Sequence, residues 1–196
     1  SLRRQRQMCI RDSLMAAAFE PASTPRLRCE LHNAITHYAH STFECDMTDP
    51  HSIELVHFGS KRWANYFKVV LLGLQSVLPP EVRQNAHGTI KVLVDGTVPP
   101  ESSLSSSAAM TTCSSIVILT ALKALHVVPR KVIADVACHS ERLVGVHSGG
   151  MDQAVSVFGQ RDKALFVSFA PTLHVSPIEL PLGHQYVFLV TNTMIK

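Results

Sequence analysis

The sequence is short of the residues that build metal clusters, disulfide frameworks and aromatic platforms. Its 196 residues include one tryptophan, three tyrosines and five cysteines, and no two cysteines stand at C-x-x-C spacing. A chain of this length buries a sizeable core without disulfide staples. Cys29, Cys45, Cys113 and Cys138 therefore read as reduced, buried thiols. No apolar run approaches the roughly 18 to 20 residues of a membrane span, and the N-terminus lacks the basic, apolar, small-residue order of a signal peptide. The expectation is a soluble, cytoplasmic protein with no membrane partner. Internal repeats are absent, and a mean hydropathy of +0.15 with 46% hydrophobic residues excludes a disordered chain.

Charge is scarce too, and its distribution decides what it means. The formal net charge is +3, which by itself would point to an acidic partner such as nucleic acid. All of it lies in residues 1–13, where Arg3, Arg4, Arg6 and Arg11 face Asp12 alone, leaving 14 basic and 14 acidic residues in the remainder. The run Arg3-Arg4-Gln5-Arg6-Gln7-Met8-Cys9-Ile10-Arg11-Asp12-Ser13 reads as a translated transposon-end sequencing adapter, with Met8 to Ser13 as ATG TGT ATA AGA GAC AG. Residues 1–13 are expected to be an adapter-derived, non-native segment, and nucleic acid drops out as a partner. Eleven histidines are dispersed. His32, His37 and His40 cluster, but their spacing in a strand and turn does not aim them at one point, so they read as solvated or hydrogen-bonded side chains.

From residue 14 onward the pattern is that of an α+β domain. Residues 14–19 form a small, apolar run that ends at Pro21-Ala22-Ser23-Thr24-Pro25. Residues 27–33 alternate Leu27, Cys29 and Leu31 with Arg26, Arg28, Glu30 and His32, the period of a half-buried strand. Residues 42–46 are a weaker strand, and these segments predict an antiparallel sheet. Residues 63–78 carry Tyr66, Phe67, Val70, Leu71, Leu74 and Leu78 at helical spacing and stop at Pro79-Pro80. Residues 89–95 predict a buried strand. Residues 106–125 predict a long core helix, apolar nearly all round, and residues 130–144 a second helix. Residues 164–169, 174–180 and 185–191 read as three further strands. Strands before and after a helical pair favour α+β over a βαβ series.

Two stretches carry chemistry. Pro99-Pro100-Glu101-Ser102-Ser103-Leu104-Ser105-Ser106-Ser107-Ala108-Ala109 lies between a strand and the long helix. Hydroxyls and free amides at a helix N-terminus face its positive dipole end, which suits a polyphosphate, and a serine there can ligate Mg²⁺. Serines are also favoured N-caps, so the block by itself admits both readings. In the second stretch, Glu141-Arg142 closes a helix ahead of Ser148-Gly149-Gly150-Met151-Asp152-Gln153. The glycines set a tight turn that can present Asp152 as a base toward a hydroxyl; on spacing alone, Asp152 equally reads as the N-cap of a helix beginning near Gln153.

In this order the two stretches resemble the galactokinase branch of the GHMP small-molecule kinases. The serine block is similar to the nucleotide motif P-x-G-x-G-L-S-S-S-A, Ser148 to Gln153 to S-G-G-M-D-Q, Trp63-Ala64-Asn65-Tyr66 to W-x-N-Y, and Glu141-Arg142 to E-(H/R). The resemblance runs from about Leu14 to Lys196. It implies a GHMP-kinase N-terminal lobe, ribosomal protein S5 domain 2-like, with a mixed, mostly antiparallel sheet packed on helices. The division it implies is residues 14–196 as a partial ATP-binding N-terminal domain with the start of the C-terminal lobe, truncated at both ends.

The resemblance also implies roles. Ser102, Ser103, Leu104, Ser105, Ser106, Ser107 and Ala108 would wrap the ATP phosphates, with Ser107 and Glu141 holding Mg²⁺. Trp63 would lie near the adenine, or else serve as a core aromatic. Asp152 would be the catalytic base near the sugar C1 hydroxyl, with Gly149 lining the sugar site. Two glycines of the usual nucleotide motif are Glu101 and Ser103 here, and Pro100 and Ser102 lean toward the pattern of N-acetylgalactosamine-preferring members. The family's early catalytic Arg with G-E-H-x-D-Y and its late Gly-rich motif have no match, so an isolated polypeptide of this sequence is expected to be inactive or nearly so. The implied activity of the parent is ATP-dependent phosphorylation of galactose. Alternatives are an N-acetylgalactosamine kinase, a non-catalytic galactose- and ATP-binding transcriptional sensor, or a phosphate-binding scaffold.

Overall fold

The computed structural model describes residues 13–22, 26–98 and 105–179. Six strands and five α-helices follow in the order β1 (Ser13–Glu20), β2 (Leu27–Asn33), β3 (Ser41–Cys45), α1 (Asn65–Gln75), α2 (Pro80–Gln84), β4 (Gly88–Gly96), α3 (Ser106–Ala121), α4 (Arg130–Arg142), α5 (Met151–Phe158), β5 (Lys163–Ser168) and β6 (His174–Glu179). The adapter-like head up to Asp12, the third late strand expected at residues 185–191, and Ser102, Ser103 and Leu104 lie outside the described residues.

The first four strands form one sheet in the order β1-β4-β2-β3. β1 with β4 and β2 with β3 are antiparallel, whereas β2 and β4 run parallel, so the chain must cross over through β3 and α1 before β4 can join. The sheet is therefore mixed and mostly antiparallel, as the resemblance implies: β1–β4 and β2–β3 are antiparallel and only β2–β4 is parallel. One face is apolar: Leu27, Cys29 and Leu31 of β2 lie beside Ile90, Val92 and Val94 of β4, all buried. The opposite face carries charge, with Arg28 paired to Glu30 at 2.9 Å and to Glu44 at 3.3 Å, and Lys91 to Glu20 at 2.7 Å. The strand expected to be buried over residues 89–95 is accordingly buried on one face only, and Leu93 on the other face is 49% exposed.

The small, apolar residues 14–19, which carry no alternation, form an edge strand because β4 supplies the pairing partner from Ser13 opposite Gly96 to Glu20 opposite Thr89. α3 packs against α1, α4, α5 and β1. It fits there because its contact positions are small: Ala108, Thr111, Thr112, Ser114 and Ser115 are buried, with Ile118 and Leu119 closing the far end. Two of its hydroxyls turn back on the helix, Thr111 Oγ1 donating to Ser107 O at 3.2 Å and Ser115 Oγ to Thr111 O at 2.9 Å. α1 and α4 meet at Gly73, where a Cβ would stand 2.5 Å from Ser140 Oγ and 2.9 Å from Val136 Cγ1.

The helix expected over residues 63–78 is a 3-10 turn, Arg62–Ala64, followed by α1, and Pro80 opens the short α2 rather than only ending a helix. Pro at the first helical position loses no hydrogen bond. β5 and β6 pair as a separate hairpin. Cys29, Cys45, Cys113 and Cys138 are free thiols, and only Cys113 is not fully buried. His32 and His40 meet edge to face at 4.3 Å, His40 Nε2 lies 2.7 Å from Thr42 Oγ1, and His37 turns to Tyr38 instead. No helix among the described residues is long and apolar enough to cross a membrane.

Candidate active site

A cavity of about 700 Å³ opens between the 3-10 turn preceding α1, the end of β4 and the N-terminus of α3. Trp63, Tyr38 and Tyr66 stand at one side of its wall, and Ser106, Ser107 and Met110 at the other, with Leu143 and Val144 entering from the end of α4. The segment carrying Leu55, Val56 and His57 completes it. That segment has no regular secondary structure, so its backbone groups need partners from elsewhere. α1 supplies them. Asn65 Oδ1 accepts from Val56 N at 2.9 Å and its Nδ2 donates to Val56 O at 2.7 Å, and one turn later Lys68 Nζ donates to Glu54 O at 2.7 Å. Burial pulls the Lys68 ammonium below the usual lysine range, while its position 4.8 Å from the centre of the Phe43 ring offsets part of the lost hydration.

In sequence Asn65 is only one letter of the W-x-N-Y motif; its signal is a carboxamide on the buried side of a largely apolar helix. Asn65→Ala is expected to leave two backbone groups of Val56 unpaired and to cost about 2 kcal/mol in a urea unfolding titration.

Trp63 is a core aromatic. It is 8% exposed within the core cluster, its Nε1 donates to Ala39 O at 2.8 Å, and its ring lies tilted against Tyr38 at 6.3 Å. The same residue borders the cavity.

The serine block enters the described residues at Ser105, which holds a left-handed conformation at φ 58° and ψ 29°. A non-glycine residue pays for that geometry, and such residues gather at functional loops. Ser105 occupies the N-cap position of α3 but its side chain makes no capping bond, so the capping reading of the serines does not describe this helix. Ser106, Ser107 and Ala108 follow as its first turn, whose amides have no partner inside the helix. They face the positive end of a sixteen-residue helix.

Glu141 approaches this helix from α4. Its side chain is fully buried; Oε1 lies 3.5 Å from Thr111 Oγ1, and Oε2 has no hydrogen-bond partner. Thr111 stands one turn after Ser107 and bonds its carbonyl, which brings Ser107 and Glu141 to the same stretch of the α3 and α4 contact. A buried carboxylate oxygen without a donor is costly unless a cation meets it, and hard oxygen ligands of this kind suit Mg²⁺. The residues present therefore fit the ion.

Asp152 and Gly149 do not line the large cavity. Gly150, at φ 84°, is the N-cap of α5, and the helix starts at Met151 rather than near Gln153. Asp152 sits inside the first turn, so it is not the capping residue. A Cβ at Gly150 would meet Cys138 Sγ at 3.0 Å and Phe169 Cε1 at 3.2 Å, which explains glycine there. Gly149 borders a smaller cleft of about 280 Å³ between α4 and the β5–β6 hairpin. α5 packs on both α3 and α4, so the turn preceding Asp152 and the serine-bearing helix belong to one packed unit.

Residues 65–160 match the family described as GHMP kinases N terminal domain. The chain is 33% identical over 142 residues to the galactokinase of Schizosaccharomyces pombe, covering 68% of this chain and 27% of that protein. It is 35% identical over 132 residues to the galactokinase of Candida parapsilosis, covering 67% and 26%. The crystal structure of Lactococcus lactis galactokinase complexed with galactose superposes with a TM-score of 0.67 at 22% identity, over 87% of this chain and 40% of that one. The chain thus spans about a quarter of the length of these curated relatives. The expected α+β lobe is the fold observed. Residues 65–160 thus carry the GHMP kinase N-terminal fold.

Proposed function

We propose that the full-length protein transfers the γ-phosphoryl group of ATP to the C1 hydroxyl of galactose. The observation that carries this reading is the uncapped α3 N-terminus on the wall of the 700 Å³ cavity, with the buried Glu141 reaching α3 one turn further on at Thr111 and keeping its Oε2 free of any partner. The galactokinase relatives, one of them complexed with galactose, favour galactose as the acceptor. In this reading Trp63 borders the adenine, the loop through Ser102, Ser103, Leu104 and Ser105 and the first turn with Ser106, Ser107 and Ala108 hold the phosphates, and Ser107 and Glu141 hold Mg²⁺. The ion, when bound, neutralises charge on the phosphate oxygens.

Asp152 accepts the proton of the sugar hydroxyl as its oxygen bonds to the γ-phosphorus. The bond from that phosphorus to the bridging oxygen breaks, and ADP leaves. Little covalent work falls to the protein; positioning and charge do the rest. Gly149 lines the sugar site. The reaction belongs in the cytoplasm and requires neither nucleic acid nor membrane. Residues 1–13 are foreign to it, and the gene upstream of Leu14 tests that: an Arg followed by G-E-H-x-D is expected, and a clone reading continuously through Arg3 to Ser13 would overturn it.

The test of function is coupled ADP release by the full-length protein with galactose and with N-acetylgalactosamine. Galactose-dependent release is expected. Preference for N-acetylgalactosamine would reassign the substrate, and sugar binding without release would mark a sensor. EDTA is expected to stop turnover, and Glu141→Gln to raise the Mg²⁺ concentration needed for half-maximal rate without altering the folded state by circular dichroism.

A further inference from the structure

Gln153 directly follows Asp152 and is fully buried. Its Nε2 reaches back five residues and donates to Ser148 Oγ at 3.2 Å, while its Oε1 is buried with no partner. An unmet acceptor inside a packed helix contact destabilises the fold, and Met would fill the same volume without that penalty. The polar group is therefore out of place for packing and in place for the turn it holds. Ser148 is gripped from a second side as well: Cys138 Sγ lies 3.8 Å from its carbonyl oxygen and 3.9 Å from its Oγ. Two residues further on, Gly150 abuts Cys138 and Phe169, and its carbonyl accepts from Ala154 N at 3.0 Å. The Ser148 to Gly150 turn is thus tied to α4 by contact and to α5 by the Gln153 side chain. Gly149 is at the centre of that turn, and Asp152 lies on the half-turn of helix between the two tied points.

We propose that Gln153 is a positioning residue: through Ser148 Oγ it fixes the glycine turn, and with it the Gly149 backbone and the aim of the Asp152 carboxylate at the sugar. The proposal rests on the kinase reading above. It does not involve the nucleotide cavity, which neither Gln153 nor Ser148 lines. The consequence is selective, because sugar parameters depend on the turn and nucleotide parameters do not.

The test uses the full-length protein and three variants, Gln153→Met, Ser148→Ala and the double change. Each single variant is expected to lower kcat/KM for the sugar roughly 10- to 100-fold, the scale of a misplaced reacting group. KM for ATP stays at the parental value, and thermal unfolding of Gln153→Met is unchanged or moves upward. The double variant is expected to be no worse than the poorer single one, since both remove the same hydrogen bond. Parental sugar kinetics in Gln153→Met would overturn the proposal, as would a parallel loss of sugar and ATP parameters with a lowered Tm. A parent that transfers no phosphate to any sugar would instead overturn the underlying kinase reading.

Discussion

Replacing Asp152 by Asn in the full-length protein is expected to lower kcat for sugar phosphorylation by roughly 10²- to 10⁴-fold, while the nucleotide Kd moves by less than about twofold. Asn keeps the shape of Asp and cannot accept a proton, so under the proposed mechanism the change removes the base and little else. The selectivity comes from placement. The cavity bordered by Trp63, Ser106 and Ser107 does not include Asp152, which projects from the first turn of α5 behind the Gly149-Gly150 turn. Coupled ADP release measures the first quantity and titration calorimetry with a non-hydrolysable nucleotide the second. Retained turnover would remove Asp152 from the chemistry. Joint loss of turnover and nucleotide binding would make it a structural residue of the α3, α4 and α5 unit.

Gly88→Ala is expected to cost about 3–5 kcal/mol, combining left-handed backbone strain with overpacking. Gly88 opens β4 at φ 126°, and a Cβ there would stand 2.6 Å from the backbone oxygen of Glu20 and 2.9 Å from Phe19 Cζ. The Glu20 oxygen cannot yield, because it is backbone of a residue paired in β1 opposite Thr89. β4 is the centre of the sheet, pairing β1 on one side and β2 on the other, so the penalty falls on the element joining both. With total stabilities of about 5–15 kcal/mol, a loss of this size should reduce the folded yield sharply. The readout is the urea midpoint of the full-length variant. Gly149→Ala is the control: a Cβ there meets nothing within 4 Å, and its stability should stay within about 0.5 kcal/mol of the parent.

Legibility in the sequence followed periodicity. β2 was readable to its last residue because Leu27, Cys29 and Leu31 alternate against charge, and the same alternation marked β4. α4 and α1 were readable within a few residues from their apolar spacing and flanking prolines. β1 was not, since Met15-Ala16-Ala17-Ala18 has no period and becomes a strand only by pairing with β4. Nor was α2, where the proline pair that stops one helix also starts another. In the site, the serine block and the glycine turn stood out as motifs, whereas Asn65 and Gln153 did not stand out individually. Their roles depend on Val56 and Ser148, and no spacing rule connects those residues.

The sequence by itself determined the α+β class, the strands and helices with clear period, the neutrality of residues 14–196, and the motifs that resemble those of the GHMP kinases. Tertiary structure decided the rest. It made the sheet mixed by bringing β4 between β1 and β2, left Ser105 in a strained conformation with no cap, and set Glu141 of α4 against Thr111 of α3 with one oxygen unmet. The physical reason is the same in each case. Periodicity reports which face of an element avoids water, but pairing order, a missing cap and a partner-free carboxylate depend on which other element arrives at that face, and local sequence does not encode that.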